Sequence, residues 1–427
     1  MTTLLRVLLP ALLLGSALSQ QTAPLQPTTN RVCTPQVTPD GQSDDTAALQ
    51  RALDACAAPV GKTTGGEVHL AAGRYLSGPL FLRTGETLHL DQGAVLLGTT
   101  VQSAYLKHGA GGLWSLLNGS GVQNVTLEGA GTVDGQGQAW WAAVKAARAA
   151  SRPDPLRPRL IGIDHVQNLT VTGLTLQNSP SFHLVPSHAE GVTVSGITVR
   201  APADSPNTDG VDPSDARDVT ITDSTFDTGD DDIAIKAGDP DLAHPGAASG
   251  NILIQNCTFL HGHGLSIGSE TNGGVQGVTG RHLSFTGTDN GLRIKTLRGK
   301  GGVIDDIVFQ DVQMQGVKVA LAFTAYYPKV PATDPAQPVT ETTPDLRRIQ
   351  VSDLSGTGAG QLGVIAGLPE RPVQAVTLTR VNLSGTRGLS VQNASVVLAQ
   401  TTLKTMMGTP VLTGPGASVT GTEGTGP

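Results

Sequence analysis

The chain has 427 residues with 28 basic against 35 acidic side chains, a formal net charge of −7 that gives no support for nucleic acid as a partner. Only 3% of residues are aromatic while Gly numbers 54, a composition that suits many short strands joined by tight turns and argues against a large helical core. No CxxC or HExxH spacing is present, so neither a metal nor a cofactor is expected.

The first elements read as targeting and closure. Residues 1–19 place Arg6 ahead of an apolar run too short to span a bilayer, followed by the small residues Ala17 and Ser19, the pattern of a cleaved secretory signal peptide. The mature protein is therefore expected to be soluble and monomeric, free of the membrane, and secreted, extracellular or periplasmic. In such a compartment Cys33 and Cys56 can close an N-terminal loop or stay free, while Cys257 occupies an apolar strand position and reads as a buried thiol. Residues 45–57 set Leu49, Ala52, Leu53 and Cys56 at helical spacing behind acidic residues, which predicts one amphipathic capping helix.

Beyond that helix the chain repeats itself. "NLTVTGLTL" from Asn168, "GVTVSGITV" from Gly191, "DVTITDSTF" from Asp218, "NILIQNCTF" from Asn251, "DIVFQDVQM" from Asp306 and "AVTLTRVNL" from Ala375 share one pattern of alternating apolar residues broken by a polar or small pair. Period-two alternation means strand, and the small pair means that the chain bends there. Short strands recurring once per coil, with no helix between them, predict an all-β fold: a single right-handed parallel β-helix. The catalytic domain is assigned to residues 20–410. Residues 136–159, with Trp140 and Trp141, and residues 327–345 interrupt the coils, and residues 411–427 are expected to be a flexible tail.

After each apolar unit the middle coils run into a second short strand, and there the chemistry collects. Asp209, Asp230, Asp231 and Asp232 fall close together, His263 takes on one coil the place Asp230 takes on its neighbour, and Arg293 and Lys295 flank Ile294 on a later strand. Stacked carboxylates cannot all ionise cheaply, so one is expected to have its pKa raised and to hold a proton. A protonated acid beside an ionised carboxylate is what glycosidic cleavage requires, and the two cations suit a substrate that is itself acidic.

The motifs "NTDG" at Asn207, "GDD" at Gly229, "GHG" at Gly262 and "RIK" at Arg293 resemble, in order and spacing, those of glycoside hydrolase family 28, the polygalacturonases and their relatives; "YLSGPLFLRTGETLHLDQGAVLLG", "DGQGQAWW" and "IGSETNGG" extend the likeness from about residue 30 to about residue 385. The resemblance implies an inverting hydrolase of α-1,4-galacturonosyl bonds in pectin and oligogalacturonates of the plant cell wall. It implies Asp230 as general acid, Asp209 and Asp231 as the residues that position and activate water, and His263 as the group that tunes the acid. Arg293 and Lys295 would bind the galacturonate carboxylate, Tyr327 rather than Tyr326 would close the sugar site, and Asn207 would orient Asp209 or contact sugar. Asp232 departs from the family, whose members often carry a small or sulfur-containing residue there. The long insertions and "IGSETNGG" leave room for an exo-acting mode, and relatives acting on substituted or rhamnose-containing backbones set the alternative substrate.

Ordinary readings account for the rest. Asp204, Asp212, Asp215, Asp218 and Asp223 read as turn formers, His183 and His261 as surface or satisfied core residues, and Lys236 as a solvated strand lysine. Trp140 and Trp141 divide evenly between sugar stacking and local packing. A polysaccharide lyase or a non-catalytic carbohydrate-binding β-helix would share the fold. The former needs a base for a carbon acid, and the latter has no use for a full set of acid, base and cations.

Overall fold

In the computed structural model, residues 31–107, 112–238 and 248–423 are described; the expected signal peptide lies outside them. The strands pair in parallel, coil upon coil, in a right-handed parallel β-helix.

The repeats explain the coil. The first residue of each aligned unit and the sixth both lie in the left-handed region: Asn168 and Gly173, Gly191 and Gly196, Asp218 and Asp223, Asn251 and Asn256, Asp306 and Asp311, Ala375 and Arg380. Gly, Asn and Asp reach that region at least cost, which is why they dominate both places. Between the two bends the alternating residues point inward, as Leu169, Val171, Leu174 and Leu176 do, and stack on their counterparts in the next coil. Phe226, Phe259 and Phe285 form one such interior column, with ring centroids 5.5 and 4.4 Å apart.

The strand after these units builds a separate ladder, and it carries the site. Leu184–Ser187, Ile233–Ala237, Leu265–Thr271, Asn290–Lys295 and Val319–Thr324 lie in register along it, with Val211 bridging Leu184 and Ile233.

Helix α1 (Thr46–Cys56) buries Leu49, Ala52, Leu53 and Cys56, as their spacing predicts, and packs on the first coils. Cys33 and Cys56 are joined in a disulfide, and Cys257 is a buried thiol. Two features differ from expectation. Residues 138–149 form a second helix, α2 (Gln138–Ala149), whose Trp140, Trp141, Val144 and Ala147 are buried. The Trp141 indole N–H donates to the Ser179 carbonyl and Trp140 meets Tyr105 edge-on, so both indoles serve packing. The expected tail also folds: Val411–Thr413 and Ala417–Glu423 pair with the preceding strands and add a last coil, because Val411, Ala417 and Val419 have apolar partners to pack on.

Candidate active site

Asp209, Asp230, Asp231, His263, Arg293 and Lys295 are brought together on the site-bearing ladder, although they span more than eighty residues of sequence. Ser266 pairs with Arg293 in register, so the Arg293 Nε donates to the Ser266 hydroxyl at 2.9 Å. The Arg293 guanidinium also contacts Asp231 Oδ1, to which the Ser266 hydroxyl donates at 3.1 Å, and Lys295 Nζ lies 2.6 Å from Oδ2. Asp231 is therefore buried and fully occupied. The ring of Tyr327 lies 5.1 Å under Lys295 Nζ, whereas Tyr326 is buried and donates its hydroxyl to Asp334.

Asp230 sits differently. His263 Nδ1 lies 3.1 Å from one of its oxygens, the Asp231 N–H donates to the same oxygen at 2.9 Å, and the Asn207 amide donates to the other at 3.4 Å. Burial alone would raise its pKa, but the hydrogen bond and charge of His263, with help from the Asp231 N–H and Lys295, bring it down to about 2. The expectation that this acid would have a raised pKa is thus corrected: in the free protein Asp230 is ionised, and the carboxyl groups that burial raises are others.

One of these is Asp209. It is buried, with Oδ1 unpartnered and Oδ2 3.7 Å from Lys236 Nζ, and desolvation followed by the charges of Asp212 and Asp230 holds its pKa well above the ordinary carboxylate value. Asp212 is equally buried, 2.7 Å from Lys236 Nζ, and also raised by burial. Lys236 is neither solvated nor ordinary. It is mostly buried and, despite that desolvation, is held charged by Asp212 and Asp209, with its Nζ 4.5 Å over the Phe182 ring. Beneath them the buried His183, pushed down to about 4 by desolvation, accepts from the Ser179 N–H at Nε2 and so donates from Nδ1 to the Asp209 carbonyl. It is a satisfied core histidine that fixes the Asp209 backbone.

Asp232 points inward and has partners. The Gly264 N–H donates to Oδ2 at 3.1 Å, and Oδ1 lies 2.8 Å from the Thr228 hydroxyl, which also bonds the Asp230 carbonyl. A hydroxyl has one proton to donate, so a protonated Asp232 completes the chain by donating to Thr228. Desolvation accordingly raises its pKa well above the ordinary value. This neutral acid pins the Asp230 turn to the Gly-His-Gly turn. Gly262 and Gly264 both have positive φ, and a Cβ on Gly264 would lie 2.1 Å from the Asn290 carbonyl oxygen, so neither position accepts a side chain without strain.

Asn207 serves Asp230, not Asp209. Its side-chain carbonyl accepts from Arg148 at 3.0 Å and Arg157 at 2.8 Å, which turns its amide toward the acid. Arg148 lies on α2 and Arg157 in the segment after it, so an insertion that sequence periodicity leaves unassigned supplies positioning residues. Asp230, Asp231 and His263 also lie within reach of one ion, with Arg293 and Lys295 already paired to Asp231.

Two clefts flank the cluster. On the N-terminal side a cleft of about 850 Å³ is lined by Arg83, Lys107, Trp114, Arg157, Arg159 and Asp164 among others; on the C-terminal side one of about 390 Å³ runs past Arg293, Lys295 and Tyr327.

The sequence profile of glycosyl hydrolases family 28 matches residues 66–402. The chain belongs to that family. An endo-polygalacturonase of Pectobacterium carotovorum subsp. carotovorum is 31% identical over 375 residues, covering 83% of this chain and 88% of its own. A probable polygalacturonase of Vitis vinifera is 29% identical over 361 residues, 81% of this chain and 72% of its own. Among solved structures, the polygalacturonase from Erwinia carotovora ssp. carotovora superposes with a TM-score of 0.74 at 30% identity, over 88% of this chain and 99% of that one. An exopolygalacturonase from Thermotoga maritima, at 23% identity and TM-score 0.70 over 92% of both chains, shares the fold. The protein is a glycoside hydrolase of the polygalacturonase type.

Proposed function

We propose that this protein hydrolyses α-1,4-galacturonosyl bonds of pectin, polygalacturonate and oligogalacturonates by single displacement with inversion. The observation that carries the reading is the division of the carboxylates. Asp230 is bonded to His263 and to the Asn207 amide, Asp209 is buried with its carboxyl raised toward the protonated form, and Asp231 is bound to the two cations. In the proposed reaction the proton held between Asp230 and His263 passes through Asp230 to the glycosidic oxygen as the C–O bond breaks. Water attacks the anomeric carbon from the opposite side and loses its proton to Asp209, which acts in its ionised form beside the Lys236 ammonium. Arg293 and Lys295 take the uronate carboxylate, with Tyr327 against the sugar. That incoming charge draws both cations partly away from Asp231 and adds a negative neighbour to Asp230, which raises its pKa when a proton is needed. Asn207, held by Arg148 and Arg157, positions the acid.

Of the two modes of attack, cleavage within the polymer is favoured over the end-on action that the long insertions suggest. The 850 Å³ cleft beyond Arg157 is near the upper end of ligand pockets and carries four cationic side chains, room and charge for further uronate units. The Pectobacterium relative bears the same mode in its name. Export is proposed with it, since the disulfide needs an oxidising compartment and the apolar amino-terminal stretch supplies a route. The protein would act as a monomer, because all the named groups come from one chain.

The test is to incubate the purified protein with polygalacturonate and a chelator, following new reducing ends and ultraviolet-absorbing unsaturated products together, with Asp230→Asn in parallel. Hydrolysis gives reducing ends without unsaturation, lost in the variant, and internal cleavage gives mixed oligomers before monomer. Unsaturated products would make it a lyase, and equal activity in the variant would remove Asp230 from the mechanism.

A further inference from the structure

The coils that precede the catalytic ladder stack a second group of ionisable side chains on a different face. His69 lies in Glu67–Leu70, His89 in Thr87–Leu90 and Glu128 in Leu117–Gly129, and these pair in register, His69 on His89 and His89 on Glu128. Asp91 follows His89 by two residues and turns back between the imidazoles: His69 Nε2 lies 2.9 Å from one of its oxygens and His89 Nε2 lies 3.3 Å from the other.

We propose that His69, His89 and Asp91 form a binding site for a divalent transition-metal ion of the zinc type that clasps adjacent coils at the N-terminal end of the β-helix. Two observations carry this. First, the separations between nitrogens and carboxylate oxygens are those of neighbouring ligands about a small ion: bonds of about 2.0–2.1 Å in a tetrahedron set ligands about 3.3 Å apart. Second, each imidazole turns its other nitrogen to its own carboxylate. His89 Nδ1 is within hydrogen-bond distance of Glu128 at 3.4 Å, and His69 Nδ1 faces Glu67 at a longer 3.9 Å. Metal-binding histidines are held by such outer partners, which fix the tautomer that leaves Nε2 free to bind. Two imidazole ligands select zinc-like ions over calcium or magnesium, and three carboxylates around them favour a dication.

No local motif announces the site, because its two histidines stand twenty residues apart and meet only through coil stacking. It lies on the same ladder as Cys33, which pairs with Val68, so ion and disulfide would secure consecutive coils.

The test is calorimetric titration of the untagged protein with zinc sulfate at neutral pH, compared with His69→Ala/His89→Ala, Glu128→Gln and, as a control at a second stacked pair whose ring centroids lie 4.5 Å apart, His165→Ala/His188→Ala. The expected result is saturable binding in which one equivalent disappears in the first variant, weakens about 10–100-fold in Glu128→Gln and persists in the control. Glu128→Gln keeps every proposed ligand, so its weakening does not depend on the first variant's folding. Absence of saturable binding, or an unchanged isotherm in His69→Ala/His89→Ala and Glu128→Gln, would overturn the site.

Discussion

Two parts of the active site hold carboxylates beside cations and treat them oppositely. On one side Asp231 alone receives both Arg293 and Lys295, with Ser266 as a further donor, and its charge is fully met. On the other, Asp209 and Asp212 share the single ammonium of Lys236, each keeps one oxygen without a partner, and both are pushed toward the protonated form. The number of cations per buried carboxylate, more than burial itself, decides which group anchors and which can take a proton. Asp230, half open and bonded to His263, is the one carboxylate of the group whose state an incoming substrate can readily change.

Removing His263 is the largest way to break this division. His263→Ala takes away the strongest influence lowering Asp230, so the pKa of that acid should rise above about 2 while the proton-holding partner is lost. A fall in kcat on the order of 10²–10⁴-fold is expected, with an altered pH profile, and steady-state rates across pH check it. An unchanged profile would mean that His263 does not govern the acid.

Lys236→Met leaves Asp209 and Asp212 facing each other with no cation. Breaking a buried pair typically costs about 3–5 kcal/mol, to be read in denaturant unfolding, and the loss should be smaller at acid pH where both carboxyls are protonated. Equal losses at acid and neutral pH would show that Lys236 contributes packing alone.

Asp232→Asn sharpens the comparison more gently. Because the folded pKa of Asp232 is raised, its contribution to stability is complete below the unfolded value of about 3.9 and declines as pH rises toward the folded one, by up to about 1.4 kcal/mol per pH unit. The amide can reproduce both hydrogen bonds without ionising. The variant should match the parent near pH 4 and melt at a higher temperature at neutral pH, whereas a lower melting temperature throughout would mean that Asp232 is charged in the fold.

Much of this was legible in the sequence. The coil follows from alternation and from Gly, Asn and Asp at the two bends, and Asp209, Asp230, Asp231, His263, Arg293, Lys295 and Tyr327 can each be picked out of the sequence. What escaped depends on neighbours supplied by other coils. Lys236 and Asp212 look like a solvated lysine and a turn former until register sets them side by side. Arg148 and Arg157 reach Asn207 only because residues 138–149 are helical, and the spacing of Trp140, Trp141, Val144 and Ala147 carried that signal. The pairing of Asp230 with His263 on neighbouring coils is legible, but the direction of the Asp230 shift is not, since it depends on whether a 3.1 Å contact outweighs burial.

The most direct measurement of the central claim is proton NMR of the first products released from a short oligogalacturonate, before the new anomeric centre equilibrates. Hydrolysis by Asp230 as acid and Asp209 as base gives β-configured reducing ends. The α anomer would signal retention and a covalent intermediate, and a vinylic proton would signal elimination; either would contradict the assignment of these two carboxylates.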